Sequence, residues 1–65
     1  MGKFFNATRV SGDADVYINA DNIIYVAKLD EYTRIVFNTD DKDGTKMISV
    51  KESYEEVQEL IKNAN

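Results

Sequence analysis

Val50-Lys51-Glu52-Ser53-Tyr54-Glu55-Glu56-Val57 is the stretch on which the fold turns. Up to Val50 the apolar residues fall at every second position, through Ile48 and Val50. Beyond Ser53 they recur at three- and four-residue steps, through Tyr54, Val57, Leu60, Ile61 and Ala64. A period of two belongs to a half-buried strand and a period near 3.6 to a helix with one apolar stripe. Ser53 with Glu56 three residues later forms a capping box: the hydroxyl accepts from the third helical amide and the carboxylate turns back to the cap amide. Glu55 and Glu56 in the first turn and Lys62 in the last both suit the helix dipole. The spacing predicts one short amphipathic helix after the last strand.

Upstream of that switch the pattern is all β. Lys3 to Val10 alternates and runs into Ser11-Gly12-Asp13, which has turn chemistry; Asp15 to Asn19 follows with Val16 and Ile18 on one face and Tyr17 on the other. Asn19-Ala20-Asp21-Asn22 breaks the pattern, with Asp21 placed to cap one helical turn. Ile23 to Leu29 is apolar at nearly every position, which predicts a central strand covered on both faces. After the polar turn Asp30-Glu31, Tyr32 to Asn38 sets Thr33, Ile35 and Phe37 one way and Arg34 and Val36 the other; a polar loop to Gly44 leads into Lys46 to Val50. The expected class is α+β: a four- to five-stranded antiparallel β-meander, curling toward a small barrel, with one C-terminal α-helix, in a single domain over residues 1–65.

Composition narrows the function. In 65 residues there are 8 Lys and Arg against 12 Asp and Glu, a net charge of −4, and neither Cys nor His. A chain this short holds a small core, and without thiols or imidazoles neither a disulfide nor a zinc site of those ligands can staple it; self-association is the expected remedy. The acidic balance and the scattered basic residues disfavour nucleic acid. The longest apolar run, Ile23 to Ala27, is far too short to cross a bilayer, and no secretory signal is read, so the expected location is cytoplasmic with no membrane contact.

A helix of about ten residues can shelter only part of one face of such a sheet. With Ile18, Ile35, Phe37, Ile48 and Val50 beneath it, the opposite face still presents apolar residues, and such patches mark interaction surfaces. The candidate interface is Tyr17, Tyr25, Ala27, Arg34, Val36 and Met47. Arg34, in mid-strand, needs an acceptor, which is either a partner group or an intra-sheet carboxylate such as Asp15 or Asp21.

No catalytic set is proposed. Ser11, Ser49 and Ser53 have turn, strand and capping explanations, and Asp13 with Asp15 reads as solvated charge beside a hairpin. Asp40, Asp41, Asp43 and Gly44 invite comparison with a calcium loop, but that alignment puts Thr39 at the first ligand position and Val50 where a bidentate Glu is required. Neither a metal nor a cofactor is expected.

Three stretches occur in order, Ala7-Thr8-Arg9-Val10-Ser11-Gly12, Val16-Tyr17-Ile18-Asn19-Ala20-Asp21-Asn22-Ile23 and Val50-Lys51-Glu52-Ser53-Tyr54-Glu55-Glu56-Val57. Together they resemble the small flagellar and swarming-motility FlbD (SwrD) family, over Ala7 to Ile61. The chain departs from it at Ile24 and Ala27, where the family commonly has Glu, and at Asp30-Glu31-Tyr32-Thr33, where it often has Pro-Asp-Thr. The resemblance implies an accessory protein that acts on motility through partner proteins, with no catalytic residue to transfer. The expected function is a non-enzymatic, homo-oligomeric protein-binding module. Its rival is a phage-type inhibitor that sequesters a nucleotide through Arg34, Lys28 and Tyr25.

Overall fold

The structure is a computed structural model that describes residues 3–38 and 46–64. Its elements are β1 (Phe4–Thr8), β2 (Asp15–Asn19), β3 (Ile23–Lys28), β4 (Thr33–Phe37), β5 (Lys46–Val50) and α1 (Tyr54–Lys62). Five antiparallel strands and one C-terminal helix make the expected α+β fold. The strands form two sheets, β1–β2 and β3–β4–β5, and these do not close into a barrel. The Asp40 to Gly44 acid cluster lies outside the described residues.

The β1–β2 hairpin turns through a 3-10 segment at Ser11–Asp13, where Gly12 has φ 77° and Asp13 φ 54°. Gly adopts this left-handed backbone without steric cost and Asp tolerates it better than most residues. The Asp13 carboxylate pairs with Lys51. A second 3-10 turn, Ala20–Asn22, interrupts the meander between β2 and β3. Its cap is Asn19, not Asp21: the Asn19 side chain accepts from the Asp21 amide at 3.0 Å, the two-residue reach natural to a short amide side chain.

The expectation that Ile23 to Leu29 is central is corrected: β3 is an edge strand and β4 lies in the middle. The register slips between Ile23 and Tyr25. A bulge breaks strict alternation, and here Ile24 and Tyr25 both reach solvent, 54% and 55% exposed. A continuous apolar run thus arose from one covered face plus a bulge rather than from two covered faces.

The two sheets meet at one corner. Arg9 bridges Val50, the Val10 amide donates to the Ser49 carbonyl at 2.9 Å, and the Lys51 amide donates to the Thr8 carbonyl at 2.8 Å. At that corner the Thr8 amide also donates to both carboxylate oxygens of Glu52, at 2.9 and 3.1 Å, while the buried Thr33 hydroxyl donates to the Glu52 carbonyl at 2.7 Å. Phe5, Ala7 and Ile18 from the hairpin, Ile35 and Val50 from the larger sheet and Val57 from α1 form the core. The helix therefore does not shelter the inner face alone; the hairpin supplies the rest of the cover. Ser53 caps α1 by accepting from the Glu56 amide at 3.1 Å, the first half of the capping box; the return bond from the Ser53 amide to the Glu56 carboxylate is not formed.

Candidate interaction face

Strand pairing determines what the outer side of the three-stranded sheet presents. Tyr25 lies opposite Val36 and Val36 opposite Met47; one step along, Ala27 lies opposite Arg34 and Arg34 opposite Ser49. Five of the six expected interface residues thus share one face in two adjacent rows. Tyr25 and Met47 are 55% and 56% exposed, in line with the expectation that this side lacks cover.

Val36 differs from the expectation. It is only 3% exposed, because it occupies the central strand between the two larger side chains. Tyr25 and Met47 flank and cover it, so the outward surface of this row belongs to those two side chains.

Tyr17, the sixth residue, belongs to the other sheet. Its side chain projects from the outer side of the hairpin, 69% exposed, and stacks on Phe4 with ring centroids 4.8 Å apart and planes 17° from parallel. The sequence reading did not anticipate this stack. The pairing of Phe4 with Asn19 and Asn6 with Tyr17 sets the two rings diagonally across the hairpin, so counting back from Ser11-Gly12 would have found it.

Neither carboxylate weighed as an intra-sheet partner of Arg34 holds it. Its Nε is buried without a hydrogen-bond partner, and no hydrogen bond or ion pair joins the guanidinium to any described residue. Asp15 stands on β2 of the hairpin and Asp21 in the turn between β2 and β3, and neither side chain makes a hydrogen bond or ion pair with it. A guanidinium with a desolvated, unsatisfied N–H is a standing demand for an acceptor.

The other charges nearby are committed. Lys28 pairs with Glu55 at 3.4 Å, both side chains largely in solvent. The Glu55 carboxyl is held below its ordinary value, first by its own backbone amide at the helix start and then by the hydrogen bond and charge of Lys28. Among the described residues no three Asp or Glu side chains gather to hold a metal ion, and no helix is long and apolar enough to cross a membrane. Chemically, the outer face offers apolar contact and one arginine whose buried Nε lacks a partner. No family model, no curated protein and no solved structure matches this chain.

Proposed function

We propose that this chain is a non-enzymatic, homo-oligomeric docking module that works by covering the outer face of its three-stranded sheet with protein. The observation that carries this reading is the row Tyr25–Val36–Met47, with two large apolar side chains more than half exposed beside an arginine whose buried Nε has no hydrogen-bond partner. Exposed apolar rows on a small sheet gain most by being buried against a second protein surface. The motility-associated accessory role belongs to this proposal as well and rests on the three segments that resemble the FlbD (SwrD) family.

Sedimentation velocity tests the reading. The chain is expected to form a dimer or larger species at micromolar concentration, and Met47→Glu, which places a charge on that exposed row, is expected to shift it to monomer. A folded wild-type chain that stays monomeric at high micromolar concentration overturns the proposal. The nucleotide-sequestering rival has Arg34 and Tyr25 on one face, while Lys28 pairs with Glu55 in solvent. A rise in melting midpoint with any nucleotide would favour that rival.

A further inference from the structure

The hairpin carries a second outward face, built from Phe4, Asn6 and Thr8 on β1 and Asp15, Tyr17 and Asn19 on β2. Its Asp15 carboxylate makes no hydrogen bond or ion pair through its side chain with any described residue. One face therefore holds an arginine with an unpartnered Nε beside an exposed apolar row, and the other an exposed carboxylate, unpaired among the described residues, beside an exposed aromatic ring.

The spacings agree. Arg34 and Val36 stand two residues apart on β4, and Asp15 and Tyr17 stand two residues apart on β2. Both steps span about 6.7 Å of strand. When Asp15 of one copy lies over Arg34 of another, Tyr17 lies over the Tyr25–Val36–Met47 row. This sets β2 of one copy parallel to β4 of the other, within the aligned geometry that stacked sheets adopt about 10 Å apart. The Tyr17 ring is also prepared for contact, since the Phe4 ring stacked against it leaves it little rotamer freedom to lose.

We propose that copies of this chain join head to tail, the Tyr17–Asp15 face of one seated on the Tyr25–Val36–Met47 and Arg34 face of the next. This rests on the self-association reading and specifies which surfaces meet. Charge decides against a face meeting itself. In the two rows of the larger face Arg34 is the one charged residue, and in the rows of the hairpin face Asp15 is. Either face against its own copy buries like charges with no counterion, which costs more than it returns. The complementary pairing satisfies both. A contact between unlike surfaces does not exhaust itself in a dimer, so the assembly grows into a ring or a filament.

Mixing variants tests this. Tyr17→Ser strips the hairpin face of its aromatic ring and leaves the sheet face, while Met47→Glu spoils the sheet face and leaves the hairpin face. Each alone is expected to weaken association about tenfold or more and to sediment as a monomer. An equimolar mixture is expected to give a 1:1 heterodimer, because one intact face remains on each chain, and its formation also shows that both variants fold. Arg34→Asp and Asp15→Arg are each expected to weaken assembly and their combination in one chain to restore it. If the wild type assembles and Tyr17→Ser assembles equally well, the head-to-tail contact is overturned while the oligomer reading stands. If both single variants are monomeric with wild-type circular dichroism and the mixture stays monomeric, the contact is likewise overturned. A wild type that never assembles removes both.

Discussion

The two sides of the three-stranded sheet are made from similar residues and meet different fates. Ile35 and Val50 on the inner side are completely buried, whereas Tyr25 and Met47 on the outer side are more than half exposed. The difference comes from cover. The β1–β2 hairpin and α1 both close on the inner side, and nothing among the described residues closes on the outer one. Apolar content therefore marks strand faces that can be buried, and topology decides which of them this chain buries itself.

Substitutions can break that comparison. The largest effect is expected for Ile35→Ala, which removes fully enclosed atoms and should cost about 2–5 kcal/mol, enough to unfold much of a domain this small; Met47→Ala should cost the isolated subunit under about 1 kcal/mol. Urea melts of the two variants decide it, and equal losses would mean that the outer face is not open. Thr33→Val keeps shape but strips the Glu52 carbonyl of its buried donor, with an expected loss of about 1–3 kcal/mol in the same assay. Ser53→Ala removes the cap on the Glu56 amide and should cost about 1 kcal/mol, read as a lower melting midpoint.

The smallest expected effect concerns pH. The folded Glu55 carboxyl titrates below its ordinary value of 4.5, so its contribution to stability is present above that value and lost as pH falls through the lower folded one. Lys28 and Glu55 stand in solvent, where screening keeps such contributions small. Acid titrations of stability should be slightly steeper below pH 4.5 for the wild type than for Glu55→Gln, and identical slopes would mean that the pair does nothing measurable.

Local chemistry was legible in the sequence. The period change at Ser53, the hairpin turn at Ser11-Gly12-Asp13 and the alternation in Tyr32 to Asn38 each depend on neighbours a few residues away, and each appears where it was read. What was not legible depends on distant pairing. Tyr17 shares its parity with the other expected interface residues but sits in a different sheet, because the 3-10 turn at Ala20–Asn22 separates β2 from β3. Val36 has the outward parity of Arg34 and is nonetheless buried, which needs Tyr25 and Met47 beside it in register. The β3 run read as central because a bulge and a doubly covered strand give the same apolar string.

Glu52 sits where the last strand hands over to the helix, its carboxylate on β1 and its carbonyl on β4. Detaching the helix end therefore breaks the contacts that Glu52 makes with both sheets at once, which couples opening there to opening of both. Hydrogen–deuterium exchange should reflect this: the Thr8 amide, near a strand end where fraying is ordinary, should exchange only when the entire molecule opens, at the pace of the Ile35 amide.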